Sequence, residues 1–442
     1  MNSIRWIFVV LLLFSTLLSA CSPQAPTSET PRLKQAVTEF FEELDVENMF
    51  TSIEELTKEP RLTGTKSEKQ AASFLTEQLE GYGYTVDVQS FEFEKYRAPT
   101  SLRLTIEGFN ETLSPAAFQF SVSGHVTGEI VEAGLGLESD YDDIDADGKI
   151  AIVAAERTSF HELVRNAGHA GAAAILIYFP QGYPINRWSL GKHDDAFIPA
   201  LALSYEEGKA LLDHMKTDGP VNGVVTIEGS HIDKAESQNL IALKQPDFKT
   251  NNSKEIITIG AHYDSVKQAP GANDNASGTA VVLELARALR DVPTHKEIRF
   301  LFFGAEEVGL LGSEYYVSTL SKKDRKRSVA MFNLDMVGSA DAGKLAIQTV
   351  DGTANAVTKA ASKAYEELHG HSVSIGSGGR SDHTPFQKAG IDAALFIYYP
   401  PEEWYHSPDD TVDKISKEKL LNVAKIVGKS ALELTLPHNT DD

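Results

Sequence analysis

At 442 residues with 42% hydrophobic side chains, the chain is long enough to bury a large core and to divide into two or three domains. Its formal net charge of −22 argues against nucleic acid as a partner, since phosphate binding needs a surplus of Lys and Arg on some face and no basic tract supplies one. Cys21 is the only cysteine, which excludes disulfides, CxxC redox chemistry and thiolate zinc sites.

The first segment reads as targeting rather than fold. MNSIRWIFVVLLLFSTLLSAC has a short n-region with Arg5, an apolar h-region from Trp6 to Leu18, and the small residues Ser19 and Ala20 before Cys21. The run Leu18-Ser19-Ala20-Cys21 resembles the lipobox of bacterial lipoproteins. That resemblance implies a signal peptide over 1–20, a lipid on Cys21, and an extracytoplasmic protein tethered to a bacterial membrane. Residues 21–34, rich in Pro, Ser and Thr, suit a flexible tether. No later run is apolar and long enough to span a bilayer.

Folded structure is expected from Gln35. In TGTKSEKQAASFLTEQLEGYG, Thr65 and Glu68 have capping-box spacing, Ala72, Leu75 and Leu79 share a helical face, and Gly81 suits the stop. YTVDVQSFEF then alternates as a strand does. Between about residues 106 and 235 the texture changes to strand-like GEIVEAG, the acidic turn SDYDDIDADGK, IAIVAAE and the alanine-rich AGHAGAAAILIY. The stretches DGKIAIVAAE and AGHAGAAAILIY resemble a protease-associated domain, so this block is expected to be an insertion. Its histidines His161, His169 and His193 lack metal spacing; His161-Glu162 has no second histidine where H-E-x-x-H demands one. They read as surface or structural residues.

From Asn239 an α/β texture resumes and the chemistry gathers. EIITIGAHYDS is a buried-type strand ending in His262 and Asp264, two apart and so on one face, where the acid can orient the imidazole. PGANDNASGTAVVLELARALR places Asp274 in a Gly/Asn loop before an amphipathic helix bearing Val282, Leu285, Ala286 and Leu289. Alone, Asp274 could be a helix-start acid. LFFGAEEVGLLGS runs from a strand into Glu306 and Glu307, a pair that by itself reads as a solvated strand-to-loop junction. VAMFNLDMVG ends in Asp335, and AALFIYYPPEEWYHSPDD delivers His406 after a strand and a turn. Apolar strands that each lead to an acid or a histidine fit the carboxyl-end sites of open α/β sheets. Imidazole and carboxylate without thiolate suit zinc or a similar divalent ion, and the surplus of ligands suggests two ions roughly 3.5 to 4 Å apart.

In order, GAHYDS, GANDNASG, GAEEVGLLGS, NLDMVG and WYHSPDD resemble the motifs of the co-catalytic two-zinc aminopeptidases, the family of the secreted bacterial aminopeptidases and glutamate carboxypeptidase II. The resemblance covers roughly 236–437, with 35–105 expected to begin the same domain and 106–235 inserted in it. It implies a three-layer α/β fold, with a mixed, mostly parallel sheet flanked by helices, and two zinc ions per chain acting on peptides. Carried over by position, His262 and Asp335 would bind one ion, Glu307 and His406 the other, and Asp274 would bridge them. Asp264 would orient His262, Glu306 would be the general base, and Tyr405 would donate to the developing oxyanion. In GGRSDHTPFQKAG, Ser381 or Asp382 either caps the short helix that Gly390 ends or lines the pocket, and Arg380 is a candidate for the substrate's end. The expected activity is removal of N-terminal residues. Carboxypeptidase-like and cyclase-like relatives on the same fold are alternatives, as is a non-catalytic receptor-like module; no G-x-S-x-G elbow occurs.

Overall fold

The computed structural model describes residues 29–156, 158–185, 188–248 and 254–436. The signal segment, Cys21 and the expected tether as far as residue 28 lie outside them. Among the described residues no helix is long and apolar enough to cross a membrane.

The described structure begins with α1 (Glu29–Glu43), so the expected tether over 21–34 is helical from Glu29, with Leu33 already packed on the core; α2 (Val46–Leu56), α3 (Lys66–Gly81) and the long strand β1 (Val86–Arg97) follow. There follow β2 (Ser101–Ile106), β3 (Ala116–Ala117), β4 (Gly124–Glu132), β5 (Ile150–Ala154), α4 (Phe160–His169), β6 (Ala174–Tyr178), β7 (Ala200–Leu203), α5 (Tyr205–Asp218) and β8 (Asn222–Glu228). The remainder comprises β9 (His231–Lys244), β10 (Ile256–His262), α6 (Gly278–Leu289), β11 (Glu297–Phe303), α7 (Leu311–Thr319), α8 (Lys322–Arg327), β12 (Ser328–Leu334), β13 (Lys344–Thr349), α9 (Ala356–His369), β14 (Ser374–Ser377), α10 (His383–Lys388), β15 (Ala393–Tyr399) and α11 (Lys417–Thr435).

An 8-stranded sheet runs β1-β9-β11-β10-β12-β15-β13-β14. Its centre is parallel: β10 pairs in parallel with β11 and β12, and β12 with β15, while β9 joins β11 and β13 joins β15 antiparallel. Alternation along each strand feeds two cores. Ile298, Phe300 and Phe302 pack with α2, α3, α6, α9 and α11 on one face, whereas Leu301 and Phe303 pack with Tyr316 and Phe386 from α7 and α10 on the other. The result is the expected three-layer arrangement. Helix α6 departs from the amphipathic expectation, for every residue of it except Arg287 is buried. It lies under α2, α3 and α11, and a helix covered all round needs no polar face.

The second sheet, 7-stranded, runs β2-β8-β4-β5-β6-β7-β3 and has α4 against one face and α5 against the other. The change of sheet falls between Arg97 and Ser101 on the way in and between Glu228 and His231 on the way out. Both points lie a few residues before the expected bounds, so the unit starts ahead of residue 106 and ends short of residue 235. A two-stranded ribbon joins the units: β1 and β9 pair antiparallel along their length, from Val86 opposite Ala242 to Arg97 opposite His231.

Ala72, Leu75 and Leu79 are buried on α3 as their spacing predicts, but the capping box does not form. Thr65 Oγ1 donates to the Leu62 carbonyl at 2.5 Å, while Glu68 accepts from the Gly64 amide at 2.7 Å and from Ser237 Oγ at 2.5 Å. Other local partners, with Ser237 from β9, have displaced the capping pair.

Candidate active site

The four strands that carry the motifs are neighbours, in the order β11-β10-β12-β15, so their carboxyl ends present one continuous rim. His262 is the last residue of β10, Asp335 follows β12, Glu306 and Glu307 lie just past β11, and His406 sits in the turn after β15. Three residues beside this rim hold left-handed backbone without being glycine: Ala305 (φ 58°), Met336 (φ 57°) and His406 itself (φ 57°). Such conformations cost on the order of 1–3 kcal/mol each and persist where surrounding structure enforces them. Each of the three aims a site residue.

Asp274 is the centre of the group. Its Oδ1 lies 3.3 Å from His262 Nε2, which is also 3.4 Å from Asp335 Oδ1. Its Oδ2 lies 3.0 Å from His406 Nε2, which is 3.2 Å from Glu307 Oε2. One carboxylate therefore faces two sets of donors, one through each oxygen. Glu306, with His262 and Asp335, also falls within ligand reach, so distance alone does not part the two glutamates.

Buried carboxylate oxygens without a hydrogen-bond partner collect here: Glu307 Oε1 and Asp335 Oδ1. Leaving such an atom unpaired costs about 1–3 kcal/mol. Burial pushes Glu306 well above the usual carboxylate range, with Asp382, Glu307 and Asp335 adding to it against His262. Glu307 is pushed up to about 7 by burial and by Asp274. His406 opposes its own burial and rises to about 10 through its bonds to Asp274 and Glu307. Acids crowded into a dry space, with imidazoles between them, call for added positive charge. Nitrogen and carboxylate donors of this kind fit zinc, and the two faces of Asp274 fit a pair of ions.

Asp264 does more than its spacing suggested. Its Oδ1 lies 3.4 Å from His262 Nδ1 and accepts the Glu306 amide at 3.1 Å, while Oδ2 accepts the Glu307 amide at 3.3 Å. The adjacent glutamates are thus fixed through both backbone N–H groups by the acid that faces the imidazole. Ser381 is not a helix cap: its Oγ donates to Asp335 Oδ2 at 2.6 Å and accepts from Asn333 Nδ2 at 2.7 Å. Asp382 is fully buried, and burial pushes it up to about 7.

Several supporting residues escaped the sequence reading. Asp410 accepts the Asn273 and Asp274 amides at 2.7 and 3.0 Å. Asn275 Nδ2 donates to the Leu334 carbonyl at 2.9 Å, and Asn273 Oδ1 accepts the Gly338 and Ser339 amides, both at 2.9 Å. The asparagines flanking Asp274 in the motif were the visible signal; they clasp its loop to the end of β12. Tyr405 is 44% exposed, and its ring stacks on His406 with centroids 3.8 Å apart, leaving the hydroxyl without a partner among the described residues. Arg380 is exposed and pairs with no acid among the described residues. On α4, His161 contacts the Leu190 carbonyl and Asp194. None of His161, His169 and His193 joins a three-ligand group among the described residues.

The fold and the paired donor sets define a two-metal hydrolase. Residues 241–431 match the model of peptidase family M28, and residues 126–211 match the PA domain. The chain is 35% identical over 437 residues to Aminopeptidase YwaD of Bacillus subtilis, covering 96% of this chain and 92% of that one. Among solved structures it resembles an aminopeptidase from Aneurinibacillus sp. strain AM-1 at 43% identity, with 91% of this chain and 97% of that chain covered and a TM-score of 0.85. It also resembles BSAP, a zinc aminopeptidase from Bacillus subtilis, at 36% identity, with 88% and 95% covered and a TM-score of 0.66. The chain belongs to peptidase family M28, with a PA domain inserted ahead of the matched segment. It is a zinc-dependent, two-metal exopeptidase.

Proposed function

We propose that this chain is a lipid-anchored, extracytoplasmic aminopeptidase that removes N-terminal residues from peptides. The observation that carries the reading is Asp274, whose two carboxylate oxygens face His262 with Asp335 on one side and His406 with Glu307 on the other. His262 and Asp335 would hold one zinc ion, Glu307 and His406 the second, and Asp274 both. Zinc so held supplies Lewis-acid polarisation of the scissile carbonyl and makes water nucleophilic near neutral pH.

Glu306 is the general base. Its carboxylate lies with His262 and Asp335, where it can take a proton and return it to the leaving amine. Tyr405 has a free hydroxyl beside His406 and donates to the oxyanion. Arg380, exposed and next in sequence to Ser381, is a contact for the substrate's end. A free α-amine, largely protonated near neutral pH, is attracted to the acids around Glu306 and Asp335. A terminal carboxylate would need a cluster of arginines.

The test is a panel of aminoacyl p-nitroanilides with free and acetylated amines. Cleavage that acetylation abolishes, and that a chelator stops until zinc is restored, is expected. Release of C-terminal residues from N-blocked peptides, or pyroglutamate formation without bond cleavage, would overturn the assignment and leave the metal site standing.

A further inference from the structure

We propose that Thr63 and Arg61, in the segment before α3, are positioning residues for the metal centre: Thr63 fixes the Asp264 carboxylate, and Arg61 ties down the chain between His262 and Asp274. Both lie outside residues 241–431, the part that matches the peptidase model. The inference rests on reading His262 and Asp274 as zinc ligands.

Thr63 is fully buried, and its Oγ1 lies 2.7 Å from Asp264 Oδ2. An ionised carboxylate only accepts, so the hydroxyl is the donor. Of the groups on Asp264, the Glu306 and Glu307 amides are themselves site backbone, and His262 is the ligand being oriented. Thr63 is the hydroxyl that reaches Asp264 from outside the site. Removing it leaves Oδ2 with only the longer Glu307 amide contact of 3.3 Å, which loosens the carboxylate that faces the imidazole and the glutamate turn.

Thr63 is in turn held from two directions. Lys95 Nζ donates to its carbonyl, and the next residue, Gly64, gives its amide to Glu68, whose other oxygen takes Ser237 Oγ. Gly64 has φ +67°, and a Cβ there would lie 3.1 Å from both Ala235 Cβ and Phe93 Cζ, so the turn seats closely against β1 and β9. Those two strands are the ribbon that leads to and from the inserted domain.

Arg61 is 1% exposed and makes no ion pair among the described residues. Its guanidinium instead spans four backbone carbonyls: Nε to Tyr263 at 2.6 Å, Nη1 to Leu56 at 2.9 Å and Pro270 at 2.6 Å, and Nη2 to Gly271 at 3.0 Å. Its backbone exchanges bonds with Ser265, whose Oγ accepts the Arg61 amide and whose amide donates to the Arg61 carbonyl. Residues 263–271 are the link between the ligand at the end of β10 and the turn that presents Asp274. A planar five-donor group suits such a clasp, and a lysine, with three donors on one atom, cannot span the same carbonyls.

Thr63→Val removes only the hydroxyl and Thr63→Ser keeps it. Zinc affinity by chelator competition, the visible spectrum of the cobalt-substituted protein and the unfolding midpoint are measured for both, with His262→Ala alongside. Thr63→Val is expected to weaken zinc binding by about 10- to 100-fold, to change the cobalt spectrum and to lower kcat more than it raises KM, with Thr63→Ser restoring all three. Arg61→Lys is expected to act in the same direction; because it can also unfold the chain, the Thr63 pair decides. Wild-type zinc affinity and an unchanged spectrum in Thr63→Val would overturn the proposal, whatever the unfolding midpoint. If His262→Ala retained both ions, the ligand reading would fall and the brace with it.

Discussion

Glu306→Gln separates proton transfer from metal binding, because the amide keeps the size of the side chain and loses only its basicity. We expect kcat to fall by about 10²- to 10⁴-fold with both zinc ions retained, whereas Glu307→Ala should lower zinc content itself. Equal metal losses in the two variants would contradict the division of labour. Ser381→Ala is a quieter test at the same scale. It removes the hydroxyl that reaches Asp335 Oδ2 and leaves a ligand oxygen unheld, so zinc affinity by competition should drop by about 10- to 100-fold. That His262, Asp274, Glu306, Glu307, Asp335 and His406 gather at one place was legible in the sequence because each stands in a short motif beside an apolar strand or helix. Their supports were not. Thr63 reaches Asp264 across 201 residues, Ser381 reaches Asp335 across 46, and Asp410 reaches the Asp274 amide across 136. No local pattern announces a bond closed over such distances; the Thr65–Glu68 spacing failed partly for the same reason, since Ser237 takes one Glu68 oxygen while Leu62 and Gly64 take the local bonds.

Glu68 also shows what an element's setting does to a titration. On α3 it is fully buried, and burial followed by the nearby Asp264 raises it from 4.5 to about 8. The folded state therefore binds the proton more tightly than the unfolded chain does. Its contribution to stability is present below pH 4.5 and is lost as pH rises toward about 8, at no more than about 1.4 kcal/mol per pH unit. In metal-free protein, denaturant unfolding across that window should show the decline, and Glu68→Gln should flatten it. Helix α11 offers a test by packing. A Cβ at Gly428 would meet Phe40 Cζ at 2.1 Å, and Phe40 is fully buried. Replacing a helical glycine by alanine ordinarily gains about 1 kcal/mol, but overpacking costs about 1–3 kcal/mol. Gly428→Ala should accordingly lower the urea midpoint. Element types followed from periodicity along the chain, but the all-round burial of α6 did not, since it depends on helices contributed from both ends of the sequence.

Across the whole molecule, the sheet order sets β11, β10, β12 and β15 side by side, so that residues from 262 to 406 share one rim, and the β1–β9 ribbon sets the inserted domain beside the same end of the fold. The proposed anchor is tested separately: wild type expressed in a bacterium should incorporate radiolabelled fatty acid, and Cys21→Ala should not. Label in the variant, or none in the wild type, would refute it. The central claim is that one carboxylate, Asp274, holds two zinc ions. It is tested most directly by stripping the protein with a chelator and titrating zinc back while following p-nitroanilide cleavage and bound metal together. Full activity should require two equivalents per chain in wild type, and Asp274→Asn should fail to reach that ratio. Full activity at one equivalent, or two tightly held ions in Asp274→Asn, would contradict the claim.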